Sequence, residues 1–189
     1  AQGPALAPTP RLDSTGIYFT SAGRHLDRVS EEEADGRYLE EGEVFGTSGA
    51  AGFYRREALE SARISTGYFD SDYFLYREDA DLAWRLSNLG WKCLYVPGAV
   101  AYHRRRNLPA RRRGMSPAVN QHSVKNRFLM RIKNISPNLY GRNWFSITTR
   151  DITVVMCCLL WEHTSLKAFW FLARNLPRVL AKRRVPKMF

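Results

Sequence analysis

Three carboxylates crowd the start of one helical pattern: Glu78, Asp79 and Asp81, followed by Leu82, Leu86 and Leu89. The i, i+4, i+7 spacing of the leucines predicts an amphipathic helix over residues 78–89. A carboxylate in its first turn is favoured by the helix dipole and held stiffly. That suits a base taking a proton from a hydroxyl at fixed distance. A lone carboxylate there more often caps or charges the helix. Upstream, residues 44–54 read VFGTSGAAGFY, with Gly49, Ala50 and Ala51 at the centre. Small residues in an otherwise strand-like stretch predict the close approach of a ligand or of another backbone segment. Downstream, His103 ends a strand-like segment. Its imidazole could ligate a metal through a neutral nitrogen or form an ordinary hydrogen bond.

The elements that would position these residues follow from pattern and punctuation. Residues 1–12 are Pro/Ala-rich and read as a disordered or linker end. Residues 13–30 read as short extended pieces around Gly16 and Gly23, and residues 31–43 as an acidic surface loop. Residues 55–61 predict a short helix. Gly90 stands where the longer helix needs a C′ residue. Residues 91–96 predict a strand, Pro97-Gly98 a turn, and residues 99–103 a further strand. Residues 104–120 read as a basic linker carrying arginine triplets at 104–106 and 111–113. Beyond it, residues 121–189 turn helical. Val124, Phe128, Leu129 and Ile132 form one apolar face, flanked by Lys125, Arg127 and Lys133. Leu166, Phe169, Trp170, Ala173 and Leu176 form another, with Pro177 predicted to kink or end that helix. The uncharged run at residues 152–161 is too short to span a bilayer, which takes roughly 20 apolar residues. It reads as interfacial, re-entrant or simply buried.

In order along the chain stand Arg55-Arg56-Glu57, Gly67-Tyr68-Phe69-Asp70, Glu78-Asp79-Ala80-Asp81-Leu82, Arg85, Gly90-Trp91, and a Pro-x-Ala-x-x-x-His ending from Pro97 to His103. Singly these motifs are weak. As an ordered set they resemble the C-terminal half of the GT-A domain of bacterial family-2 glycosyltransferases of the rhamnosyltransferase-like kind. The resemblance implies an α/β fold: a partial GT-A domain over residues 13–103 that lacks its N-terminal nucleotide-binding half, followed by a basic helical tail. It implies an inverting transfer from a nucleotide-sugar donor, such as dTDP-rhamnose, to a glycan or lipid-linked acceptor in cell-surface polysaccharide synthesis. Asp79 occupies the family's base position. Glu78 would orient an acceptor hydroxyl or be plain surface charge. Gly49, Ala50 and Ala51 would line the acceptor pocket or pack a tight strand. Arg85 would meet diphosphate or pair with an Asp/Glu neighbour. Among Tyr73, Phe74 and Tyr76, core packing is favoured over a sugar platform. His103 would help hold a divalent metal, Mg or Mn. Two Asp-x-Asp triplets, at residues 70–72 and 79–81, stand outside the context of the family's nucleotide motif. The isolated chain is accordingly expected to be inactive.

Charge divides the chain. Residues 1–103 hold 10 Lys/Arg and 16 Asp/Glu, a net −6, and residues 104–189 hold 19 and 2, a net +17. The basic part should seek polyanions, an anionic membrane surface foremost, which predicts attachment to the cytoplasmic face of a membrane. A non-catalytic basic module for nucleic acid or anionic surfaces is the alternative. The acidic first half and the lack of a nucleic-acid motif weigh against nucleic acid. Three cysteines, Cys93, Cys157 and Cys158, show neither a disulfide framework nor thiolate-zinc spacing, and suggest a reducing compartment.

Overall fold

The computed structural model describes residues 11–33, 36–103 and 116–183. The basic triplets at 104–106 and 111–113 lie outside the described residues. The order is β1 (Arg11–Leu12), β2 (Ile17–Phe19), β3 (His25–Asp27), β4 (Glu32–Glu33), β5 (Gly42–Val44), α1 (Arg56–Ser61), α2 (Glu78–Asn88), β6 (Cys93–Tyr95), α3 (Pro117–Asn134), α4 (Pro137–Leu160), a 3₁₀ turn (His163–Leu166) and α5 (Lys167–Ala181). The strands form antiparallel pairs, β1 with β4, β2 with β3 and β5 with β6. A bridge from the Ile17 N–H to the Gly46 carbonyl, 2.8 Å, ties β2 to the exit of β5. The chain is mixed α/β with small sheets.

One core joins the two charge halves. Ile17, Tyr73, Ala80 and Trp84 pack in one cluster with Leu129 and Met130 of α3, Ile147 of α4, and Leu172 and Val179 of α5. Phe19 lies 4.5 Å, centroid to centroid, from both Phe45 and Trp84. The predicted division between residues 13–103 and 121–189 is therefore not a division of the core. Gly46 supplies the close approach expected of the small-residue run. A Cβ there would fall 2.3 Å from the Cβ of Ala83, so only glycine lets α2 sit against this segment. Residues 47–54 otherwise run as turn and coil, not strand.

The helix predicted at 78–89 forms, and Gly90 follows it in the left-handed region at φ +86°. Residues 99–103 form no strand. The tail helices begin at two Ser-Pro pairs. Ser116 and Ser136 each cap a helix by accepting a bond from a backbone N–H three residues on, with Pro at N1. In α5 the inward residues are Ala168, Leu172 and Val179, while Trp170 and Leu176 of the predicted stripe face out. Pro177 sits within α5 and does not end it. Residues 152–160 belong to α4, whose side chains Phe145, Ile152, Met156, Leu159 and Leu160 are exposed, as is Trp161 at its end. An ordinary buried helix is thus excluded for this run. Among the described residues no helix is long and apolar enough to cross a membrane.

Part of the tail's positive charge is turned into the fold. Lys125, Arg127, Arg131, Lys133 and Lys182 are all buried.

Candidate functional site at the start of helix α2

Asp79 stands in the first turn of α2. One carboxylate oxygen accepts the Gly49 N–H at 2.9 Å and the other accepts the Ala80 N–H at 2.7 Å. Each oxygen keeps a second lone pair. Burial raises the Asp79 pKa above the ordinary carboxylate value. The bonds from Gly49 and Ala80 pull it down, and the charge of Asp27 on β3 pushes it up. The net rise makes Asp79 a better proton acceptor than a surface aspartate. A Cβ at Gly49 would make ordinary contact with Asp79, 3.4 Å from its Cβ and Oδ2. Gly49, Ala50 and Ala51 are all exposed in a turn beside Asp79, so the tight core strand is not observed.

Glu78 is half-buried beside Asp79. Burial raises its pKa first, and the Asp79 charge adds to the rise. Its Oε2 is buried with no hydrogen-bond partner. Tyr54 lies close enough for the Asp79 charge to help raise its phenol to about 12, burial being the larger cause.

The loop entering α2 is strained. Phe74, Tyr76 and Arg77 have φ of 59°, 63° and 71°, where an L-residue costs about 1–2 kcal/mol. Such strain persists only when surrounding structure over-determines it. Tyr73 is fully buried, whereas Phe74 projects at 80% exposure, so the aromatic run divides between core and surface.

Behind the loop lies a network of buried charge. Asp81 accepts from the Tyr73 hydroxyl (2.9 Å), Arg85 Nε (3.0 Å), Lys133 Nζ (2.8 and 2.9 Å) and Asn134 Nδ2 (2.7 Å). Asp70 accepts from Lys133 and Lys182, each at 2.7 Å, and Asp72 from Lys182 and Arg178, each at 2.7 Å. Both Asp-x-Asp triplets thus commit aspartates to α3 and α5 or to α2 itself. Arg85 is fully buried. Besides Asp81 it donates to the backbone carbonyls of Ala62 and Tyr68. The diphosphate role for Arg85 is corrected: its donors are aimed inward, and it pairs with its Asp neighbour.

His103 meets Asp13, Nδ1 to Oδ2 at 2.8 Å. Among the described residues no group of three His, Cys, Asp or Glu gathers that could hold a metal ion. His103 and Asp13 together supply two ligands at most, so the described residues do not fit a complete metal site.

The structure therefore brings Asp79, Glu78 and Gly49 together, places Ala50 and Ala51 on the rim, and sets Arg85 and His103 to other partners. Sequence reasoning missed Lys133, Asn134 and Lys182. The available signal was a polar face on α3, with Ser123, Asn126 and Lys133 at i, i+3 and i+10 alongside buried Met130.

Over 56 residues the chain is 43% identical to the N-acetylglucosaminyl-diphospho-decaprenol L-rhamnosyltransferase of Mycobacterium tuberculosis, in strain CDC 1551 / Oshkosh and again in strain ATCC 25618 / H37Rv. The match covers 30% of this chain and only 17% of the length of each of these curated relatives. No family model matches the chain, and no solved structure does. The matched segment supports a glycosyltransferase-like relationship, over less than a third of the chain.

Proposed function

We propose that the chain is the acceptor-side portion of an inverting glycosyltransferase, with Asp79 as the base. The observation that carries this reading is the half-buried Asp79 carboxylate, fixed by two backbone N–H groups, raised in pKa, and facing the small, exposed turn at Gly49. In the reaction Asp79 takes the proton of an acceptor hydroxyl. The freed oxygen lone pair forms the bond to the anomeric carbon as the bond to the donor diphosphate breaks. The Glu78 carboxylate accepts from a neighbouring hydroxyl of the acceptor and fixes its approach. The cation that the resemblance implies would draw most of its ligands from outside the described residues, and no step depends on it here. By likeness to the relatives' names, the transferred sugar is rhamnose and the acceptor a lipid-linked sugar diphosphate.

Turnover tests this directly. The protein extended through its upstream residues is expected to release dTDP from dTDP-rhamnose only when a lipid-linked N-acetylglucosaminyl diphosphate is present. The 189-residue chain by itself is expected to bind the donor very weakly and transfer nothing. Robust turnover by that chain would contradict the division into donor and acceptor portions. Failure of the extended protein with any nucleotide sugar would contradict the transferase reading.

The lipid-linked acceptor places the protein, on this reading, at the cytoplasmic face of a membrane. The exposed side of α4 suits the contact: Phe145, Ile152, Met156 and Leu159 lie on one face, with Trp144 and Leu160 at its margins. Five of the eleven Lys and Arg among the described tail residues are buried, so apolar insertion should outweigh charge in this region. Vesicle co-sedimentation is expected to show capture that largely survives high salt and is released at alkaline pH. Complete release by salt would return the attachment to electrostatics, and resistance to alkali would indicate deeper insertion.

A further inference from the structure

The strained loop before α2 is held from outside the motif region by helix α3, and most of those bonds come from one side chain. Asn126 of α3 is fully buried. Its Nδ2 donates to three backbone carbonyls of the loop: Tyr73 at 3.0 Å, Leu75 at 2.6 Å and Tyr76 at 2.9 Å. Two hydrogens serving three acceptors require at least one shared bond. The Oδ1 of the same side chain has no partner, so the carboxamide is oriented by the loop alone. Two further bonds from the same turn of α3 flank it. Lys125 Nζ donates to the Asp72 carbonyl, and the Ser123 carbonyl accepts from Arg77 at 2.5 Å. Arg77 is itself left-handed and is the N-cap residue immediately before α2. Ten residues along α3 from Ser123, Lys133 grips Asp81.

We infer that Asn126 is a positioning residue for Asp79. Two places on α3, the turn at Ser123–Asn126 and Lys133 about two turns further on, hold the loop and the first turn of α2 in a conformation the loop does not prefer. That conformation sets Asp79 against the Gly49 N–H. The carboxamide is the group the position needs, because only a neutral double donor can answer converging carbonyls without burying a charge. The catalytic part of the inference rests on the base role proposed for Asp79; the geometric part does not.

Two readings separate those parts. In the first, amide hydrogen exchange is followed in the 189-residue chain. Asn126→Ala should speed exchange of the Gly49 amide about tenfold or more relative to a core amide such as Leu172, because the Asp79–Gly49 bond loosens before the core opens. In the second, transfer is measured with the extended protein. Asn126→Ala should lower kcat by about tenfold to a hundredfold with KM little changed, and add no further loss in an Asp79→Asn background. Arg77→Gly provides the same readings in a protein that should fold, since glycine takes the left-handed conformation freely while the Ser123 anchor is lost. Gly49 exchange that moves only in step with Leu172 would overturn the inference. So would losses that multiply in the double variant. A wild-type protein that transfers nothing would overturn the base role while the exchange reading still decides the clamp.

Discussion

Asp79→Asn in the extended protein is expected to cut transfer by about 10²–10⁴, the usual scale for removing a general base. The substitution keeps the shape of the side chain. It cannot keep both backbone bonds, because one carboxamide atom is a donor and would face either the Gly49 or the Ala80 N–H, which now both meet acceptor oxygens. The stability loss should stay near 1 kcal/mol, the scale of one hydrogen bond. A chemical melt would show that small loss beside the large loss in rate. Asp79→Glu retains the acid but moves it by one methylene, and should recover little. Near-normal turnover by Asp79→Asn would remove Asp79 from the chemistry.

Lys133→Met should produce the largest loss of stability among single changes outside the core. Lys133 and its partners Asp70 and Asp81 are fully buried, with contacts of 2.7 and 2.8 Å. Removing one partner of a buried pair leaves an uncompensated charge, which costs about 3–5 kcal/mol. Lys182 still serves Asp70, and Arg85 still serves Asp81, so the lower part of that range applies. The acid limb carries a second signature. Burial raises the Asp70 pKa, but the Lys133 charge and the bonds from Lys133 and Lys182 outweigh it and lower the pKa from 3.8 to about 2. A folded-state pKa below the unfolded value gives stability that is present above the unfolded pKa and lost as pH falls through the folded one. In the wild type this contribution should fade between about pH 4 and pH 2. In Lys133→Met the loss should begin at higher pH. Urea denaturation across this range measures both effects. A loss below about 1 kcal/mol at neutral pH would show that the network is hydrated in solution.

The α2 helix was legible because local rules settle it. Its leucine spacing, acidic first turn and Gly90 terminator all act within a dozen residues, and Asp79 came with them. The mode of its support was not legible. Lys133 and Asn126 meet partners some fifty residues away, as in the Lys133–Asp81 and Asn126–Tyr73 bonds, and period alone assigns charged residues to solvent. The reversal in α5 has a related cause. Trp170 and Leu176 scored as a core face by hydropathy, yet the space against α3 takes Ala168, Leu172 and Val179. Arg85 was open between two partners in the sequence. Its position one turn after Asp81, both fully buried, decides for the pair. His103 kept its acidic neighbour hidden, because Asp13 lies ninety residues earlier.

The pH dependence of kcat/KM tests the base role of Asp79 most directly. The acid limb reports the ionisation of the free protein's essential base. Burial raises the Asp79 pKa, so the limb should lie above the value of about 4 typical of an exposed aspartate. It should rise with unit slope and vanish from the residual activity of Asp79→Asn. An acid limb that persists unchanged in Asp79→Asn would assign the proton to another group and contradict the mechanism.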